Sequence, residues 1–200
     1  MRQIFSALAV ALAVSLAAGC AVSTLEPVTF PLDYRFMRSE ADIFPAPECA
    51  RYLSLEITEG RPDAPGVGER TIQDKEGSWQ IAASGDPEAW VRQSAETIFG
   101  HAGIFADPGA ASRIHLELRS LRIDESAHRN AVFNGRVLLG VQVIQGAGET
   151  VAWEGRADGT ARNWGRPGNP ANYQETVNHA LDRAMVALAN DDRLHRALCE

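Results

Sequence analysis

The chain has 200 residues, 45% hydrophobic and 22% charged, the proportions of a globular protein long enough to close one core of ordinary size. Its 26 acidic residues outnumber 19 basic ones, for a formal net charge of −7, which argues against a nucleic-acid partner and against attachment to anionic head groups through a basic patch. No phosphate-binding loop, nucleophile elbow, zinc-protease pair, EF-hand loop or dinucleotide fingerprint occurs, so the reading expects no enzyme, no cofactor and no metal.

In chain order, Met1 to Cys20 comes first. Arg2 supplies a short positive region, and Ile4 to Leu16 form an apolar run too short to span a bilayer as a stable helix. Leu16-Ala17-Ala18-Gly19 then places small residues directly before Cys20. This order resembles the lipobox of bacterial lipoprotein signal peptides. The resemblance implies removal of residues 1–19, acylation of the Cys20 thiol and a membrane anchor. Ala21 stands where inner-membrane retention commonly uses Asp, so the same rule implies the outer membrane, facing the periplasm. An ordinary secretory signal cut near Ala18 is the alternative reading.

Residues 20–47 read as the lipidated cysteine and a tether: Pro27, Pro31, Pro45 and Pro47 interrupt it and no period is sustained. Phe30, Tyr34, Phe36 and Phe44 are more aromatic than a free linker needs, so part of it is expected to pack on the domain as an edge strand around Tyr34 to Met37. Residues 48–200 are then a single α+β periplasmic domain. Cys49 and Cys199 remain once Cys20 is committed to lipid, and in an oxidising periplasm two such cysteines tend to pair. The loop closed between them is worth about 4–5 kcal/mol in the chain-entropy model. Two free thiols are the alternative.

Arg51 to Thr58 alternates, with Leu53, Leu55 and Ile57 on one face of a strand. Glu59 to Gly68, with three Gly and two Pro, reads as a long loop; Thr71-Ile72 and Ser78 to Ala83 read as short strands. Asp86-Pro87-Glu88 is a helix start, with Trp90, Val91, Ala95, Ile98 and Phe99 at helical spacing and Gly100 or Gly103 as the stop. Ile114, Leu116 and Leu118 mark the next strand, and the changed parity of Leu121 and Ile123 predicts a bulge near Arg119-Ser120. Phe133 to Val143 and Val151 to Ala161 then alternate on their odd positions across Gly146-Ala147-Gly148, the pattern of a long hairpin. Gly and Ala on the second strand's inner face leave room for a helix. Asn163 to Pro170 reads as a loop carrying Trp164. Asn172-Tyr173-Gln174-Glu175 is a capping box for a helix with Tyr173, Val177, Ala180, Leu181, Ala184 and Leu188 as its buried stripe. The fold class expected is α+β, an antiparallel-rich sheet with a long hairpin and two helices packed on one face.

This layout, with Glu59-Gly60-Arg61-Pro62-Asp63 after the first strand and Asn172-Tyr173 through Asn178 and Leu181 on the last helix, resembles the YajG-type family of Gram-negative envelope lipoproteins. The resemblance extends over residues 52–198, its motifs are loose, and none is catalytic. It implies a non-enzymatic outer-membrane lipoprotein without a defined role; taken with the lipobox and the missing catalytic constellation, the leading expectation is a non-catalytic binding or envelope-assembly module. Related layouts occur in auxiliary lipoproteins of ABC-type lipid transporters, which makes an accessory transporter subunit the alternative. A hydrolase using Asp63 or His115 is a third reading.

Candidate partner-binding residues are Trp164, Arg61 and Asp63. A Trp in a Gly/Pro loop could anchor a partner or fold back on the domain edge, and Asp63 after Pro62 is also ordinary turn chemistry. His115 alternates with Glu117 and Arg119 on a polar strand face, the pattern of a solvated surface. His179 and Asp182 stand one helical turn apart, the spacing of a ligand pair, but a solvated helix face is the preferred reading. His101, His128 and His195 have no partner assignable from sequence.

Overall fold

The computed structural model describes residues 27–62, 66–146 and 150–199. Cys20, Asp63 and most of the Gly146-Ala147-Gly148 connection therefore lie outside the described residues. The strands are β1 (Val28–Pro31), β2 (Tyr52–Glu59), β3 (Gly66–Ile72), β4 (Ser78–Ser84), β5 (Phe105–Ala106), β6 (Ser112–Ala127), β7 (Ala131–Gln145) and β8 (Thr150–Gly165). The α-helices are α1 (Pro87–His101), α2 (Pro170–Ala189) and α3 (Asp192–Cys199), and two 3-10 turns occupy Glu40–Asp42 and Glu48–Ala50.

Three long strands carry the sheet. β6, β7 and β8 run antiparallel to one another along nearly their whole lengths. The other edge of β6 is shared: its first half pairs with β2 and its second half with β3, both parallel. Beyond β2 lies β5, and beyond β3 lie β4 and then β1. Among the described residues, β1–β4, β2–β5, β2–β6 and β3–β6 are parallel, and only β3–β4, β6–β7 and β7–β8 are antiparallel. The sheet is therefore mixed rather than antiparallel-rich. Alternation reports which face of a strand is buried and carries no information on the direction of its neighbour. A strand returning through a helix, as β6 returns beside β2 after α1, arrives parallel.

Burial follows the odd positions of β7, where Phe133, Val137, Leu139, Val141 and Val143 are buried. On β6 the buried set is Ile114, Leu116 and Leu118, then Leu121 and Ile123, and the register against β7 slips between Leu118 and Ser120. One extra residue, Arg119, changes the parity so that both halves still face the core.

Helices α1 and α2 cover this one face. Asp86 caps α1 by accepting from the Glu88 and Ala89 N–H groups, with Pro87 at the first helical position. The helix stops where Gly103, at φ +82°, turns left-handed and the Ile104 N–H reaches the Phe99 carbonyl. α2 begins at Pro170 under Asn169, two residues before the expected Asn172 start, because Pro170 fits the first turn, where its missing N–H is not needed. It lies so close to β8 that a Cβ at Gly159 would come within 1.9 Å of the Ala180 carbonyl oxygen. Tyr173 fills the space beneath, with ring centroids 5.8 Å from Phe30 and 5.0 Å from Phe133.

Several boundaries move. Glu59 to Gly68 is not all loop, since β3 starts at Gly66. Gly68 is where the β3 backbone presses on β6: a Cβ there would sit 1.7 Å from the Ile123 carbonyl oxygen. β8 continues to Gly165, so Trp164 stands on a strand and not in a loop. The edge strand expected around Tyr34 to Met37 falls instead at β1, with Phe30 fully buried and β1 parallel to β4. Residues 28–47 thus join the fold. The last helical turn expected from Leu194, Ala197 and Leu198 after the break at Asn190-Asp191-Asp192 is a helix of its own, α3, and these three residues are its buried face. No helix among the described residues is long and apolar enough to cross a membrane.

Cys49, in the turn Glu48–Ala50, and Cys199, at the end of α3, form a disulfide with Cα atoms 5.2 Å apart. It ties the chain leading into β2 to the last helix across a sequence separation of 150. A thiol assay on the unreduced protein should find neither cysteine free, and reduction should lower the melting temperature by several degrees, since such a loop closure is nominally worth about 4–5 kcal/mol and often less in practice.

Candidate binding face

The face of β6–β8 opposite the helices is open and carries alternating charges. Arg119 donates to Glu117 at 2.7 Å, Arg122 to Asp124 at 2.8 Å, and Arg136 to Asp158 at 3.1 and 2.5 Å. The hydrogen bonds from Arg136 hold the Asp158 carboxyl below its ordinary range. Each pair is solvated and adds little to stability, but it fixes guanidinium planes in an outward array. Trp164, 62% exposed, extends this array, with the Arg162 guanidinium 5.2 Å from its ring centroid. A depression of about 370 Å³ beside it is lined by Arg122, Arg136, Arg162, Arg183, Asp124 and Asn134 among others.

A second concavity follows from the topology. Where β2 leaves β6 and β3 has not yet joined, the sheet forks around a cleft of about 530 Å³, lined by Glu69, Ser78, Gln80, Ser120, Leu121 and Arg122 with the Gly66–Gly68 backbone. Its walls are mostly polar and open to solvent. Among the described residues no three His, Cys, Asp or Glu side chains converge as metal ligands. The face offers guanidinium groups, amides and an indole to a partner.

The sequence candidates are dispersed. Arg61 turns back on Glu59, donating from Nε at 2.8 Å and Nη2 at 2.6 Å, and its side chain is only 8% exposed. Burial opposes the Glu59 charge, yet the Arg61 bonds hold that carboxyl below its ordinary range. Arg61 is thus paired with Glu59, and it is not brought beside Trp164. His115 is 2.8 Å from Thr58 Oγ1 across the β2–β6 pair. His179 does not pair with Asp182; it lies 3.9 Å from Glu175 instead.

Two buried polar clusters were not anticipated. In one, Arg70 Nε lies 3.0 Å from Glu125 Oε2, the Tyr173 hydroxyl donates to the same oxygen, and the Gly168 N–H donates to Oε1 at 3.0 Å. Burial, and then the hydrogen bond and charge of Glu125, push the Tyr173 hydroxyl well above its ordinary range. A signal existed: Glu125 has the core parity of Leu121, Ile123 and Ala127. In the other, Asp182 accepts from the Tyr34 hydroxyl and the Met37 N–H, both at 2.7 Å. One turn earlier Asn178 accepts from Trp90 Nε1 at 2.8 Å and donates to the Asp33 carbonyl at 3.0 Å. α2 thereby straps residues 33–37 to the core.

Arg70→Ala should destabilise the fold by about 3–5 kcal/mol, because it leaves the Glu125 carboxylate buried without its counter-charge; chemical denaturation measures this. Burial raises the Asp182 carboxyl above its ordinary range despite its two donors. The folded state then holds this proton more tightly than the unfolded chain. Its contribution is complete below the ordinary carboxylate pKa and is lost as pH rises through the raised value. Unfolding free energies measured against pH should show that fall in the wild type relative to Asp182→Asn.

No protein-family model matches the chain, and no curated protein matches it in sequence. Solved structures resemble it in part. A Xanthomonas campestris protein of the family DUF330 superposes with a TM-score of 0.51 at 11% identity, over 80% of this chain and 92% of its own. A candidate lipoprotein from Caulobacter crescentus matches at 18% identity and a TM-score of 0.42, over 66% of this chain and 89% of its own. A Helicobacter pylori homologue of a neuraminyllactose-binding haemagglutinin matches at 8% and 0.38, over 84% and 97%. At these identities the likeness is one of fold, and it is the fold of the DUF330 protein that this chain shares.

Proposed function

We propose that the chain is an envelope lipoprotein, acylated at Cys20 and held at the outer membrane facing the periplasm, that works as a non-catalytic binding or assembly module. The observation that carries this reading is the division between the two sheet faces. One is sealed by α1 and α2 over the apolar core, and the other presents ordered arginines and the exposed Trp164. Trp and Arg dominate the energetics of protein interfaces. The order of residues from Met1 to Cys20 supports the anchor.

The narrower reading is an accessory lipoprotein subunit of an ABC-type envelope lipid transporter. It rests on the resemblance of the order of strands and helices to the layouts of such auxiliary lipoproteins, and pull-down with the anchor intact separates the two by showing whether a transporter comes with it.

Cys20→Ser should move the protein from the outer-membrane fraction to the soluble periplasm; retention in the membrane would overturn the anchor. A photo-crosslinking residue at Trp164 should capture an envelope partner in cells, whereas one at the exposed Glu96 on α1 should not. Adducts from Glu96 alone would place the working surface on the helical side.

A further inference from the structure

The outer edge of β8 is the longest uncovered element of the sheet. β8 has 16 residues against the usual 5–6 for a strand, and among the described residues it pairs only with β7. Hydrogen bonding shows which of its groups face outward. The Gln73 N–H reaches the Ala127 carbonyl and the Thr71 hydroxyl donates to the Glu125 carbonyl, so odd residues at this end of β6 face β3. Ser126 then faces its partner Val132 in β7, and alternation turns the odd residues of β7 toward the odd residues of β8. The main chains of Glu154, Arg156, Asp158, Thr160, Arg162 and Trp164 are left pointing away from the sheet. Among the described residues two of these groups are covered: the Thr160 carbonyl accepts from Arg183 at 2.5 Å, and the Trp164 N–H donates to Asn163 Oδ1 at 2.8 Å.

We propose that a second copy of this chain adds to this edge, β8 against β8, antiparallel about a two-fold axis at Asp158. The order of charges selects that partner. The two-fold sets Glu154 opposite Arg162, Arg156 opposite Thr160 and Asp158 opposite its own counterpart, with opposed side chains on one face at about 5.5 Å between Cα atoms. Among the described residues Glu154 has no ion pair within its own chain, and the Arg162 guanidinium is stacked on Trp164 without a carboxylate. Asp158 tolerates its counterpart because each is held by its own Arg136. Charges along an edge ordinarily deter pairing. Here they deter the wrong pairing, since a parallel in-register strand would set Glu154 on Glu154 and Arg162 on Arg162, whereas the two-fold makes both pairs attractive.

Sedimentation equilibrium of the full-length chain in detergent micelles tests the interface. The wild type should be dimeric. Glu154→Arg and Arg162→Glu should each weaken the dimer about tenfold, because each places like charges opposite one another twice, and the double variant should recover to within about threefold. Asp158→Cys should yield a covalent dimer on a non-reducing gel, since cysteines at the axis fall within disulfide reach. A monomer throughout the concentration range, a dimer indifferent to both single reversals, or single losses that the double variant fails to restore would each overturn the proposal.

Discussion

The close approach of α2 to β7 and β8 is the constraint on which the rest of the structure depends. Gly159 and its neighbours Ala157 and Ala161 remove the side chains that would hold the helix off, and the Ala180 carbonyl descends to the sheet surface. With the helix at that depth, Tyr173 can wedge between Phe30 and Phe133, and Asn178 and Asp182 are carried down to where residues 33–37 pass. A larger residue at Gly159 would lift α2, and with it the contacts that bind the chain before β2 to the core.

Polar groups then decide details that apolar burial leaves open. Hydrophobic surface is non-directional and would accept several positions of the early segment. The buried Asp182 accepts only from correctly placed donors, and Tyr34 and Met37 supply them. Arg70, Glu125, Tyr173 and Gly168 do the same where β3 joins β6 and where the chain turns from β8 into α2. These groups are costly to bury unpaired, which is why the segments they join take one arrangement. The disulfide adds a covalent tie at the opposite end of the chain.

Much of the fold was legible locally. The Asp86-Pro87 start of α1, the stripe on α2, the odd positions of β7 and the parity change near Arg119 all follow from steric rules that act within a few residues. Local reading failed where a distant backbone decided the outcome. Gly66 and Gly68 read as loop because glycine usually marks a turn, but Gly68 is there so that β6 can approach. Trp164 looked like loop because Gly165, Pro167 and Gly168 follow it. The fork that Arg61 closes on Glu59, two residues away, likewise shows only in the folded chain.

What the chain's order of residues determined by itself is therefore its periodicity: which faces are apolar, where helices begin and stop, and where one residue too many forces a bulge. Tertiary structure alone decided that the sheet is mixed, that β6 divides one edge between β2 and β3, and that the early segment's strand is Val28–Pro31 rather than residues 34–37. It also gathered Arg122, Arg136 and Arg162 with Trp164 on one open surface, from three different strands. The physical reason is the range of the interactions: caps, turns and pleats act over a few positions, whereas strand direction, buried ion pairs and exposed side-chain arrays are set by partners far away in the sequence.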